Sequence, residues 1–467
     1  VTALPTLSEL AARRIADDGG EHERVDGLPP GPTANSWLQL FGFLFRPIPF
    51  LEACREQYGD RLTLRLPATP PIVQFSDPSA VKEVFAASGD AMHAGKANEV
   101  LSAFLGRHSV LVLDGVRHRA QRRLLLPPFR GERMRAYGNA MRDITEARIA
   151  RWRMGHTFRM QTETQAITLD VILRTVFGME EGAAMDSMRE KLVQATRILD
   201  NPVFLIKAFQ RDLGPRSPWG RFLRLRQAAY EETLELLALR RREGYEDRDD
   251  ILSMLLSATY EDGSPMTDEE IYDELLTLLV AGHETTATAL SWTIHRLTRH
   301  PAVLERVQRE IDDVYPEGEI DPDRSAELHY LDAVIKESLR IHPVIPGVGR
   351  VLMEPETVGG EALPPGVVVG CSIYLAHFNP DVWPDPHRFD PDRFLGKRPS
   401  PNTYFPFGGG IRRCIGEAFA LYEMRIVLAT ILRQLVPEPA PFRRIGTMRR
   451  NITLTPSAGL PVRFRRR

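Results

Sequence analysis

A mainly α-helical chain with one small β-rich lobe is the fold class that these 467 residues predict. Three observations carry it. Apolar residues recur at helical spacing from about residue 78 to 345. Strand-like alternation is confined to about 61–75 and 348–375, on either side of that stretch. No repeat, low-complexity tract or flexible linker divides the chain. The β lobe therefore draws on both ends of the sequence, and residues 1–467 are expected to form a single domain.

The elements follow in order. Residues 1–27 read as an N-terminal extension that begins polar and helical, and GLPPGP at 27–32 is a stiff lead-in that no helix crosses. The apolar run from Trp37 to Phe45 is about half of the ~20 residues that a bilayer span needs. Its Trp37, Leu40, Phe41 and Phe43 are expected to be buried as a staple rather than to meet a membrane surface. Leu62, Leu64 and Leu66 alternate with polar neighbours, and IVQF follows a Pro-Pro turn, which predicts two strands. The longest helix is expected over 268–300, opened by Thr267 with Glu270 three residues on, a capping box, and stopped by Pro301. PPGVVVG at 364–370 returns to strand character, and 377–406, rich in Pro, Asp and Phe, predicts a packed meander. A last long helix runs from about Gly416 to Leu435, and ITLT with LPVRF is expected to close the chain as a hairpin.

Composition narrows the function classes. Apolar residues make up 43% and charged residues 26%, with a formal net charge of −2, so no global field argues for nucleic acid or an anionic membrane. Cys54, Cys371 and Cys414 are scattered, which fits a reducing compartment rather than a disulfide framework. With no secretory pattern and no transmembrane anchor, the chain reads as a cytoplasmic monomer.

The strongest local feature is FGGGIRRCIG at 407–416. Gly408, Gly409 and Gly410 let the backbone adopt unusual conformations and approach a flat ligand. Cys414 precedes a helix, whose N-terminal N–H groups and dipole favour a thiolate, and Arg412 adds a cation suited to a carboxylate. A buried free cysteine after a glycine turn would explain Cys414 taken alone. In the middle of the long helix, AGHETT at 281–286 is poor helix material. Thr285 can bond back to the carbonyl of Ala281 and so bend or open the helix. His283–Glu284 is not a zinc motif, because position 287 is Ala. KESLRIHP places Glu337 and Arg340 on one helical face, and DGVRHRAQRRLLLPPF places His118 and Arg122 at i, i+4.

The ten-residue cysteine string is similar to the signature F-x-x-G-x-R-x-C-x-G of the cytochrome P450 family at every fixed position: Phe407, Gly410, Arg412, Cys414 and Gly416. AGHETT resembles the family's oxygen-activation motif, KESLR with PDRF at 391–394 resembles its E-x-x-R and meander motifs, and the order matches too. The resemblance covers 28–464 and looks like bacterial members with eukaryote-like motifs. It implies haem b (iron protoporphyrin IX) with Cys414 as axial ligand, Phe407 packed beside it and Gly416 completing the cofactor loop. His118, Arg122, Arg350 and Arg412 would reach the haem propionates. Ala281 and Gly282 would line the oxygen pocket, Glu284 and Thr285 would relay protons, and Glu337, Arg340 and Arg393 would form a buried structural network.

The activity so implied is monooxygenation, one atom of O2 entering a hydrophobic substrate such as a fatty acid, a terpenoid or another secondary metabolite. No flavin or nicotinamide fingerprint is present, so electrons would come from a ferredoxin or flavodoxin and its reductase. Arg117, Arg119, Arg123 and Arg413 are the candidate docking patch; a solvated basic face would explain them as well. Candidate pocket walls are residues 92–112, residues 199–223 with Phe204, Ile206 and Phe209, then Leu276, Val280, Val344 to Val348, Ile452 and Thr453. Gly214, Pro215 and Pro218 are a candidate lid hinge. A peroxide-driven peroxygenase or isomerase is disfavoured by the retained Glu284–Thr285 pair. A haem sensor without turnover is the remaining alternative.

Overall fold

The computed structural model describes residues 7–16, 24, 26–129, 133–441 and 445–467. Part of the expected N-terminal extension lies outside the described residues; Leu7–Ala16 forms its helix. The fold is mainly helical, and its largest core cluster gathers side chains from Val110 to Phe464 around the helix Asp268–Arg299. Thr267 caps this central helix in a capping box with Glu270. Met160–Thr175 packs along one side of it, while His329–Ile341 and Glu417–Gln434 close the other faces. Ala183–Leu199 and Pro218–Glu243 pack on each other, and Pro218–Glu243 also contacts the central helix.

The β lobe joins the two ends of the chain. One five-stranded sheet runs Arg61–Leu64, Ile72–Phe75, Val368–Ser372, Gly347–Leu352, Met92–His93. Its parallel pairing sets Phe75 against Cys371, nearly three hundred residues on. The expected terminal hairpin does not form. Thr453–Pro456 pairs instead with Thr447–Arg450, and Pro461–Arg466 pairs with Leu435–Pro439. Between them Ala458, Gly459 and Leu460 all take positive φ, which redirects the chain into a second sheet.

A second correction concerns Trp37 to Phe45. These residues form the helix Ser36–Phe45, but Trp37 is 60% exposed and Phe41 50%, with Leu38 and Phe45 also exposed. The buried side belongs to Gln39, which donates to the carbonyls of Pro32 and Ala34 and accepts from Arg65 N. The lead-in backbone claims the polar side chain, and Trp37, Phe41 and Phe45 turn outward, while Phe43 stays half-buried against the core beneath Arg449.

The cysteine loop is held by a chain of bonds that starts at a buried ion pair. Glu337 and Arg340 are both 0% exposed. Arg340 binds Glu337 through two N–H groups at 2.7 and 2.8 Å. It also donates to the carbonyls of His377 and Pro386 at 2.8 and 2.9 Å. Arg393 lies 3.6 Å from Glu337 and donates to Pro384 O, so the meander wraps this pair. His377 Nε2 accepts from Phe405 N, Gly408 N donates to Phe405 O, and Cys414 N donates to Phe407 O at 2.9 Å. The meander and the loop thus have one fixed point. Removing one partner of a buried pair leaves an uncompensated charge and costs about 3–5 kcal/mol. Arg340→Ala is expected to lower stability by that amount in urea unfolding and to abolish the folded cysteine loop; loss under about 1 kcal/mol would show that the meander is held elsewhere.

Candidate functional site

Cys414 sits between the short helical turn Gly410–Arg412 and the helix Glu417–Gln434. Cys54 and Cys371 are buried, and Cys414 is exposed. The glycines before it serve a packing that the sequence reading did not foresee. A Cβ on Gly409 would collide with the Phe85 ring and one on Gly410 with the Phe85 backbone, so the loop also packs closely on that residue. Gly408 and Gly410 have φ of 68° and 63°, a region that favours glycine. A Cβ on Gly416 would meet nothing within 4 Å. Phe407 is half-buried against the main core.

The Cys414 sulfur is open on one side but enclosed by protein on the others, and that enclosure outweighs the expected thiolate bias. Desolvation pushes the Cys414 thiol up to about 11, against the downward pull of the Gly416 N–H, Arg122 and Arg413. The helix terminus alone does not ionise this sulfur.

The basic residues expected around the cofactor converge, and several already hold protein groups. Arg412 donates to the carbonyls of Val110 and Leu113 and pairs with Asp114. Burial lowers its pKa to about 10, so it remains a cation. Arg350 donates to Val84 O and, at 3.2 Å, to Gly409 O. Arg122 donates to Arg413 O at 2.6 Å, tying the helix Gly115–Leu125 to the cysteine loop. His118 is buried, and its pKa falls to about 4 through burial and then the charges of Arg412 and Arg122. At neutral pH it is an uncharged imidazole that can donate one hydrogen bond.

The central helix is not broken at AGHETT; it runs continuously from Asp268 to Arg299. Thr285 Oγ1 donates to Ala281 O at 2.5 Å, so the hydroxyl is satisfied within the helix rather than by opening it. Ala281 is exposed, although most residues of the following turns are buried. Glu284 accepts from Gln165 Nε2 at 2.6 Å and lies 3.8 Å from Arg450, which in turn pairs with Asp200. Burial is the leading cause that raises its pKa to about 7; Arg450 and Gln165 oppose it. Gln165, Arg450 and Asp200 were not found from the sequence. Each belongs to a different element, and no local spacing links them to position 284.

On the central helix, a small, partly open pocket is lined by Phe104, Leu199, Phe222, Leu276 and Val280, together with Lys191 and Arg226. Both cations already have acids: Lys191 pairs with Glu232, and Arg226 lies 3.9 Å from Asp273. Phe204 and Ile452 pack into the same roof. Phe209 is 52% exposed, which removes it from the wall, and Val344 belongs to the main core. The candidate hinge is pinned: Ser217 caps the helix Pro218–Glu243 and donates its hydroxyl to Gly214 O. The candidate docking patch is partly neutralised, since Arg119 faces Asp90, Arg123 faces Glu261 and Arg413 faces Glu417.

The comparisons with known proteins agree on the family. A family model described as Cytochrome P450 matches residues 29–460. A Mycobacterium tuberculosis relative named cytochrome P450 135B1 is 40% identical over 447 residues, covering 94% of this chain and 92% of that protein. Another from the same organism, named cytochrome P450 135A1, is 36% identical over 442 residues, covering 94% and 95%. Among solved structures, the retinoic-acid-bound cyanobacterial CYP120A1 matches with a TM-score of 0.81 at 24% identity, over 91% of this chain and 96% of that one. The cytochrome P450DA haem domain matches with a TM-score of 0.80 at 24% identity, over 93% and 94%. Among the described residues, no helix is long and apolar enough to cross a membrane. A single open thiol, the buried Arg350 with half-buried Arg412 and Arg122, and an exposed Ala281 in the central helix suit a flat metal group that carries its own ring nitrogens and acidic arms. This chain belongs to the cytochrome P450 family, whose members bind haem b through a cysteine thiolate and act as monooxygenases.

Proposed function

We propose that Cys414 is the sulfur that binds the haem iron, and that Glu284 with Thr285 supplies protons for oxidation of a hydrophobic substrate. The observation that carries the first part is that Cys414 is the one exposed cysteine of the three, in a loop fixed by the Glu337–Arg340 pair. Arg412, Arg350, Arg122 and the neutral His118 are the groups to hold the propionates, while Phe407, Gly416 and Ala281 border the cofactor. Haem b, when bound, activates dioxygen and gives one of its atoms to the substrate.

What the chain itself does is narrower. Burial holds Glu284 near the point of half-ionisation at neutral pH, where an acid both gives and regains a proton readily. Thr285 presents a hydroxyl one residue on. The apolar roof of Phe104, Leu199 and Phe222 excludes water, and the cations at its edge are already paired, which favours an uncharged or largely apolar substrate of the fatty acid or terpenoid kind. Exposed Arg117, with Arg119, Arg123 and Arg413, is the surface for an acidic ferredoxin or flavodoxin. Their partial pairing weakens but does not remove its positive character.

Three outcomes test this reading. Cys414→Ser should abolish the red-shifted carbon monoxide band of the reduced protein; a retained band sinks the ligand assignment. A titration of the ferric holoprotein with fatty acids, terpenoids and steroids should give a low-to-high spin shift for at least one apolar class, and silence across the panel leaves the substrate reading without support. Gln165→Leu removes a bond to the ionised form of Glu284, while Arg450, Asp200 and the neutral His283 remain around it. The acid's midpoint should rise from about 7 by roughly one pH unit, carrying the alkaline limb of the pH–turnover profile with it. An unmoved limb would mean that another group controls it.

A further inference from the structure

Arg412 is held by one stretch of chain. Its guanidinium donates to the carbonyls of Val110 and Leu113 and pairs with Asp114, so every hydrogen bond it makes among the described residues goes to residues 108–114. That stretch is irregular chain, with no helix or strand of its own. Something outside it has to fix its position.

The fastening is on the first half of the central helix. Val110 N donates to Glu274 Oε1 at 2.7 Å, His108 N donates to Asp273 Oδ2 at 3.0 Å, and Ser109 Oγ stands 2.7 Å from Thr277 Oγ1. Residues 108, 109 and 110 thus each meet a side chain from little more than one turn of helix. Tyr272, Leu276 and Val280 of the same helix line the pocket, so the side that carries 273, 274 and 277 is a different one. Gly106 leads into the stretch with a φ of 89°, and a Cβ there would strike the Asp273 carboxylate. Only glycine suits that position.

Glu274 is the unusual member of this set. It is 0% exposed, and its Oε2 has no hydrogen-bond partner within the fold. Burial pushes its carboxyl up to about 8, against the Gln121 amide and the Val110 N–H, so at neutral pH it is mostly the uncharged acid. The contact it makes is through Oε1. Val110 is therefore gripped twice, its N–H by Glu274 and its C=O by Arg412. An apolar residue at 274 would leave that buried N–H without an acceptor.

We propose that Glu274 is a positioning residue for Arg412: by fixing Val110 it sets where the guanidinium stands to receive a haem propionate. The proposal rests on the reading of Arg412 as a propionate partner. An arginine side chain has many rotamers, and a loop that orders it beforehand removes that cost from cofactor binding. Asp114 does not replace Glu274 in this, because Asp114 belongs to the stretch that has to be fixed.

The test times the transfer of haem from the ferric holoprotein to an excess of apomyoglobin. Glu274→Met should release haem about ten-fold faster than the parent. Glu274→Gln keeps the shape, the Oε1 acceptor and the lack of charge, and should retain haem as the parent does. Thr277→Val frees Ser109 alone and should give a milder, about three-fold effect; it stands in if Glu274→Met does not fold. Each is also combined with Arg412→Gln. If Glu274 acts through Arg412, the combined variants lose haem no faster than Arg412→Gln alone, whereas a general loosening of the fold multiplies the two factors. Multiplied rates, or parent-like retention in folded Glu274→Met, overturn the positioning role. Arg412→Gln separates the two levels: if it releases haem faster while Glu274→Met does not, the propionate reading stands and the positioning role falls; if it releases haem at the parent rate, both fall.

Discussion

The charge pair Glu337–Arg340 is the constraint on which the site depends. Two ions at zero exposure are tolerable only when every donor and acceptor is matched, and here the matching is done by backbone. Carbonyls of His377 and Pro386 and the N–H of Asp390 converge on the pair. These belong to a meander with almost no regular hydrogen bonding of its own. The pair therefore acts as a nucleus for irregular chain, and its position is passed through His377 and Phe405 to the loop that carries Cys414. An exposed sulfur at the end of a glycine-rich loop would otherwise be one of the least fixed atoms in the molecule.

Desolvation acts in the same direction on Cys414 and Glu284, disfavouring the charged form of each. It moves the Cys414 thiol away from ionisation at neutral pH, against the pull of the Gly416 N–H, Arg122 and Arg413. It moves the Glu284 carboxyl toward neutrality, and the nearby Arg450 and the Gln165 amide stop it near 7 rather than higher. An exposed glutamate would stay ionised and could not donate at neutral pH; a fully buried one without partners would stay protonated and could not be reset. Glu423 is that second case, buried with neither oxygen bonded and its pKa pushed well up, and it has no part in the site.

How legible all this was depends on how local each signal is. The capping box at Thr267, the lobe built from both chain ends and the E-x-x-R pair were readable because each is a spacing within a few residues or a change of periodicity. The cysteine loop was readable as a motif, but the packing of its glycines on Phe85 was not: Phe85 lies more than three hundred residues earlier and no spacing points to it. The outward turn of Trp37 and Phe41 was missed because hydrophobicity suggested burial, while the Gln39 amide had a stronger claim on the interior through two carbonyls. The terminal strands were recognised and wrongly paired, since apolar runs report strand character and not the partner.

The same distinction separates the chemistry from its substrate. Residues that hold a cofactor and move protons work at short range on groups that do not change, so their spacing is constrained and can be read. The roof over the central helix is assembled from Phe104, Leu199, Phe222 and Val280, contributed by four elements far apart in the sequence, and the only requirement on each is bulk and low polarity. Many side chains satisfy that, so the wall can vary while the ion pair, the loop and the acid stay in place. The seam between the central helix and Met160–Thr175, beside Glu284, lies between these extremes. Its residues are spread over two helices and form no contiguous motif, yet each hydroxyl has a partner across the interface: Thr164 meets Ser291, Thr288 accepts from the Gln161 amide, and Thr168 donates to His283 O. Substitution there is limited by hydrogen bonding rather than by volume, and Thr288→Val, nearly neutral in size, is the change that tells the two constraints apart.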